Sequence, residues 1–270
     1  MTTIIYTLAV SFGLALFLGF LLGFFKEVFY VPVDETVGKV RDVLPGANCG
    51  GCGYPGCDGF AAAVAVGDAP VSGCTAGGVP TAQAVGRVMG VTANAEQYVA
   101  VRACQGSKEC AVPKGTYIGV KTCKATKTLG INGTKMCSYG CVGFGDCVTV
   151  CKFDAIEIEE DGLPHIDYAK CTGCGMCVKA CPQFILSTVP SNRKGAIALC
   201  TNRNPNKTVI LKQCKTGCIK CGKCEKNCPE KAIVVTNGIP VVDYTKCTSC
   251  GECIKGCPTH VLALVEDIVK

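Results

Sequence analysis

Three stretches of this 270-residue chain share the spacing C-x2-C-x2-C-x3-C-P. They run from Cys171 through Cys174 and Cys177 to Cys181, from Cys218 through Cys221 and Cys224 to Cys228, and from Cys247 through Cys250 and Cys253 to Cys257. Pro182, Pro229 and Pro258 follow. Thiolate is a soft ligand suited to iron, and this spacing holds four-iron clusters in pairs, the last cysteine of each run ligating the other run's cluster. Crossed sharing predicts one set of Cys218, Cys221, Cys224 and Cys257, with a mate of Cys247, Cys250, Cys253 and Cys228. Cys171, Cys174, Cys177 and Cys151 complete a third set. Such centres take up and release single electrons.

The runs sit in an internal duplication. Cys123, Cys137, Cys141, Cys147 and Cys151 recur 77 positions later as Cys200, Cys214, Cys218, Cys224 and Cys228, and Cys171 to Cys181 recur 76 positions later as Cys247 to Cys257. One corner departs from the repeat. Phe144 stands where the second copy has Cys221, and Lys152 replaces the proline after Cys151. Cys141, Cys147 and Cys181 then need a fourth ligand. Cys137 is the expected one; the other reading is a non-cysteine or open corner. Cys104, Cys110, Cys123, Cys200 and Cys214 are left over, as free thiols or as ligands of an additional cluster built on Cys104, Cys110 and Cys123. The pairs Cys123/Cys137 and Cys200/Cys214 are expected to play matching parts in the two repeats.

A further group precedes the repeats: Cys49, Cys52, Cys57 and Cys74, set among Gly50, Gly51, Gly53 and Gly56. Glycine allows the backbone to turn N–H groups toward sulfur, so four cysteines here suit one four-iron cluster or one structural zinc. Five [4Fe-4S] clusters follow from the complete sets, with a sixth open.

The elements that position these residues are legible in outline. Residues 3–25 form an uncharged apolar run long enough to cross a bilayer as a helix, with no basic residue before it and no small-residue cleavage site after it, unlike a secretory signal. Lys26, Lys39 and Arg41 follow, which predicts a single-pass anchor in the cytoplasmic membrane with the cysteine domains on the cytoplasmic side. That side also keeps thiols reduced. Helices are expected after Cys57 and over 82–89, and β-hairpins turning at Asp161-Gly162 and Asn237-Gly238. The expected fold class is α+β: a transmembrane helix (1–26), a small helical [4Fe-4S] domain (32–100), a cysteine-containing connector (101–136), and two tandem bacterial-type 2[4Fe-4S] ferredoxin modules (137–190 and 200–270).

The formal charge of +6 counts every cysteine as neutral. Five clusters, each at −2 with its thiolates, would bring the chain to about −4, so the basic balance is no sign of a nucleic-acid partner. The chain has no Gly-rich dinucleotide fingerprint and no triad-like constellation. His165 and His260 are better read as structural, so no catalytic residue is expected.

In its order of parts — anchor, CGGCGYPGC with distal Cys74, tandem ferredoxin runs — the chain resembles the B subunit of the Rnf complex along essentially its whole length. That family belongs to ion-translocating ferredoxin:NAD+ oxidoreductases. The resemblance implies electron exchange with soluble ferredoxin and relay to membrane and flavin subunits, while other subunits handle NAD and move Na+ or H+. It also implies contact with membrane lipid through the anchor. Rival readings are a membrane-tethered polyferredoxin of another redox complex and a zinc-binding scaffold.

Overall fold

The computed structural model describes residues 2–29, 34–131 and 133–269. The expected junction between anchor and cluster domain, 27–31, falls partly on residues 30–33, which lie outside the described residues. Helix α1 (Thr2–Val28) is 27 residues long. At 1.5 Å per residue it spans about 40 Å, more than the roughly 30 Å of a bilayer's hydrocarbon core. Its apolar side chains point outward on every side, Phe12, Leu16, Phe20 and Phe24 included, and none of its most apolar window is buried against the protein. A helix apolar all round needs an apolar surrounding.

Ahead of Cys49 lies a short helix, α2 (Glu35–Asp42), whose N-terminus is closed by the Asp34 carboxylate accepting from Thr36 N at 2.8 Å. It packs on α3 (Cys57–Ala65) and α4 (Gly78–Met89), the latter starting four residues ahead of the expected 82. Val40, Phe60, Ala61, Val64 and Val85 are 0–1% exposed and make the core, and Arg41 grips Asp58 at 2.7 Å. This core fixes Cys57 at the head of α3.

Next come strand β1 (Tyr98–Arg102), α5 (Cys123–Thr128), α6 (Asp146–Thr149), the hairpin β2 (Ile156–Ile158) and β3 (Pro164–Ile166), α7 (Met176–Ala180) and β4 (Leu186–Pro190). The second copy holds β5 (Ala196–Ala198), α8 (Lys207–Gln213), α9 (Lys223–Lys226), the hairpin β6 (Ile233–Thr236) and β7 (Ile239–Val242), α10 (Glu252–Lys255), β8 (Leu262–Leu264) and α11 (Val265–Ile268). In each copy the leading strand closes antiparallel on the trailing one: β1 on β4 with Arg102 opposite Leu186, β5 on β8 with Ala198 opposite Leu262. The first module therefore uses chain from Tyr98 onward, within the expected helical domain and connector, rather than starting at 137.

Asn237 and Gly238 both take positive φ (49° and 73°), the two-residue turn expected for Asn-Gly. The first hairpin differs. The Asp161 carboxylate accepts from Leu163 N at 2.8 Å, and the loop widens to Glu159–Leu163 with only Gly162 at positive φ. His165, in β3, sits 3.0 Å from Asp161 and 3.2 Å from Glu159.

Each cysteine run solves the same local problem. The residue before the second position of each run, a cysteine in three runs and Phe144 in the fourth, is left-handed (Gly143, Gly173, Lys220, Ser249), and a left-handed glycine (Gly145, Gly175, Gly222, Gly251) starts the helix carrying the next cysteine. At Gly173 a Cβ would also run into the Tyr98 carbonyl, because β1 passes directly over it. Gly173→Ser is therefore expected to cost roughly 2 kcal/mol or more through strain and displacement of β1. Ser249→Gly at the equivalent position should change stability far less. Loss of visible absorbance on heating the iron-loaded protein compares the two variants.

Candidate metal centres

The cysteines gather into six groups of four. In the helical domain the Cys74 thiol is raised by burial and by nearby Cys52, Cys57 and Cys49, so these four lie near one another; we call this group A. Group B joins Cys177 to Cys171, Cys174 and Cys151. In the second module, one cavity is rimmed by Cys218, Cys221, Cys224 and Cys257 (group E) and another by Cys228, Cys247, Cys250 and Cys253 (group F). Each of these cavities thus takes three cysteines from one run and one from the other.

The remaining two groups differ from the expectation. Cys137 does not stand beside Cys141, Cys147 and Cys181; its thiol neighbours are Cys104, Cys200 and Cys214, and these four rim a single cavity (group D). The corner emptied by Phe144 is filled by Cys123, which lies near Cys147 and Cys181 (group C, with Cys141). The cause is local. Asp146, beside Cys147, accepts from the backbone N–H groups of Cys123 and Lys124 at 2.8 and 2.9 Å, pinning the start of α5 at that corner.

Cys104, not Cys123, is thus the counterpart of Cys200. Ala103 N donates to Ile185 O and Leu199 N to Val261 O, both at 2.7 Å, which carries Cys104 and Cys200 out of matching strands. Cys141 N then donates to Cys104 Sγ and Cys218 N to Cys200 Sγ, both at 3.4 Å. Cys104, Cys110 and Cys123 do not form a group. Cys110 lies in none of the six, its N–H taken by the Ser107 hydroxyl at 3.2 Å. Counting offered the one sequence signal: 25 cysteines leave one over after six sets of four.

Burial dominates the protonation of these thiols. It pushes Cys137 and Cys147 up to about 11 and Cys141 and Cys177 up to about 12. Such thiols stay neutral until a metal displaces the proton. Group D also borders a buried cation, Lys135, which donates to Gly106 O at 2.6 Å, and buried Asn202, whose amide donates to Cys137 Sγ at 3.4 Å.

These surroundings fit iron–sulfur clusters. Tetrahedral zinc would need sulfurs about 3.8 Å apart, from a Zn–S bond near 2.3 Å. Among the described residues no three His, Cys, Asp or Glu side chains gather for one ion; the thiols of groups D, E and F rim cavities instead. Backbone N–H groups of Ala100, Ala155, Ala232 and Val261 reach Cys171, Cys151, Cys228 and Cys257 Sγ at 3.2–3.4 Å. The buried Ser249 hydroxyl at the rim of group F has no partner among the described residues, and a cluster sulfide would give it one.

Comparison with known proteins agrees. An Fe-S cluster family model matches residues 44–76, a 4Fe-4S binding domain 164–187 and a 4Fe-4S dicluster domain 217–261. The chain is 42% identical over 236 residues to the B subunit of the Na(+)-translocating ferredoxin:NAD(+) oxidoreductase complex of Acetobacterium woodii, covering 87% of this chain and 69% of that one. It is 38% identical to the B subunit of the ion-translocating oxidoreductase complex of Methanosarcina acetivorans, over 91% and 92% of the two chains. To the B subunit of the proton-translocating ferredoxin:NAD(+) oxidoreductase complex of Clostridium ljungdahlii it is 39% identical, over 90% and 85%. The chain belongs to the family of B subunits of ion-translocating (Rnf) oxidoreductase complexes, as an electron-transferring iron–sulfur protein.

Proposed function

We propose that the chain is a membrane-anchored relay that carries electrons one at a time between soluble ferredoxin and the membrane and flavin subunits of its complex, through six [4Fe-4S] clusters held by groups A to F. The observation that carries this reading is the contact of each group with the next. Cys49 of group A lies near Cys174 of group B, and Cys177 of B near Cys147 of C. The Cys141 N–H of C donates to Cys104 of D, and the Cys218 N–H of E to Cys200 of D. Cys253 of F lies near Cys224 of E. A linear order A-B-C-D-E-F follows, with no group isolated.

The clusters, when bound, supply the one-electron chemistry. The chain's own residues hold them in line, exclude water and direct N–H donors at the sulfurs, which tunes potential. Hydride transfer to NAD+ and ion movement belong on this reading to the other proteins of the complex. Helix α1 anchors the chain in lipid, with Lys26, Lys39 and Arg41 placing the clusters in the cytoplasm.

Anaerobically prepared, fully loaded protein should contain about 24 irons and as many sulfides per chain, from four per cluster. A count of about 20 would mean that one group stays empty, and zinc without iron would reject the relay. Cys123→Ala should remove or convert the group C cluster and leave group D intact, whereas Cys137→Ala should do the reverse; magnetic resonance of the reduced protein with iron counts separates them. The opposite pattern would restore Cys137 as the fourth ligand beside Phe144. A chain lacking residues 1–29 should stay coloured and reducible but leave the membrane fraction; continued sedimentation with membranes would show anchorage elsewhere.

A further inference from the structure

The duplication allows one module to be read against the other, and they differ most in what covers their cysteine corners. In the first module the corner at Cys174 is covered by the helical domain. The backbone of Gly51 packs so closely on it that a Cβ there would come 2.8 Å from the Cys174 carbonyl, and Lys179 reaches Gly51 O at 3.4 Å. A cluster-bearing domain is thus docked on that face, placing group A beside group B. The corner at Phe144 is covered by the connector, with the Tyr117 ring 5.6 Å from the Phe144 ring.

The same two corners are bare in the second module. Cys250 is the counterpart of Cys174 and Cys221 of Phe144, and these two are the exposed cysteines of the chain. Ser249 occupies the place where the covered copy needs Gly173 under Tyr98. Lys255, the counterpart of Lys179, lies on the surface within reach of Cys250, paired only with its neighbour Glu252.

Charge separates the copies as well. Residues 143–179 carry seven acidic side chains against three lysines; the matching 220–255 carry four against six. On α9, Lys223 and Lys226 are exposed, and Lys223 stands where the first copy has Asp146.

Building on the relay reading, we propose that the open Cys250 corner of the second module, with the lysines of α10 and of α9 packed against it, docks an acidic, soluble one-electron iron–sulfur carrier, and that group F is the port at that end of the line. The docked partner occupies the position that the helical domain takes on the first module. In the transfer, one electron leaves the reduced carrier and enters the oxidised cluster of the chain; no bond is made or broken. The lysines attract the carrier and orient its cluster toward Cys250.

The test uses the full chain in detergent, loaded with iron and sulfide, and a dithionite-reduced two-cluster bacterial ferredoxin as the carrier, in stopped-flow. Joint reversal of Lys223, Lys226 and Lys255 to Glu should slow bimolecular reduction at low ionic strength by roughly ten-fold or more and flatten its salt dependence. Lys→Gln changes at these positions should fall between. Iron content and direct reduction by dithionite should match the unmodified chain, which shows that the variant is folded. Reversal of Lys114 and Lys121 on the connector should leave the rate within about two-fold. Slowing by the connector set alone, or by neither set, overturns the port. An unmodified chain that accepts electrons from dithionite but not from ferredoxin overturns the soluble-carrier relay itself.

Discussion

The structure depends on one constraint: four thiolates must meet around each centre, although the chain presents them from distant points. Group D draws Cys104 and Cys137 from one repeat and Cys200 and Cys214 from the other. The hydrophobic cores around the later groups are correspondingly small. That of the second module is Ala196, Ile233 and Leu262 with Cys224 and Cys253 themselves. Two-stranded ribbons and helices of four or five residues have little stability alone. The centres are the natural remainder of these cores, so folding and metal binding are coupled.

Group D also explains how two copies of a module become one line. A two-cluster module contains its own pair, and a bare duplication would leave two pairs side by side. Cys104 and Cys200, delivered by matching strands, each touch the neighbouring pair through a backbone N–H while facing a shared cavity. The buried Lys135 ammonium there lies near Cys141 as well, so one positive charge sits at the joint between groups C and D. A cluster held at this joint would have its reduced, more negative state favoured by that charge.

The two modules show how divergence assigns roles to one fold. The first has Phe144 where the second has Cys221, brings Cys123 of the connector to that corner, and lies under the helical domain. The second keeps every ligand in its runs and leaves two corners open. The open copy carries the lysines, and the covered copy carries the carboxylates.

The amino-acid order alone made the membrane-length helix and the α+β character legible, and it offered the thiol sets proposed for groups A, B, E and F. Each of these follows from short-range spacing, which chain geometry converts directly into proximity. It could not settle Cys123 against Cys137. Both lie within reach of Phe144 along the chain, and their 14-residue spacing copies that of Cys200 and Cys214. That spacing is a coincidence of sequence: the insertion between Cys104 and Cys137 shifts the register, so strand pairing makes Cys104 the partner of Cys200. Only the tertiary structure, through the Asp146 bonds to the start of α5 and the matching of β1 with β5, decided which thiols meet, because those contacts link residues with no periodic relation in the chain.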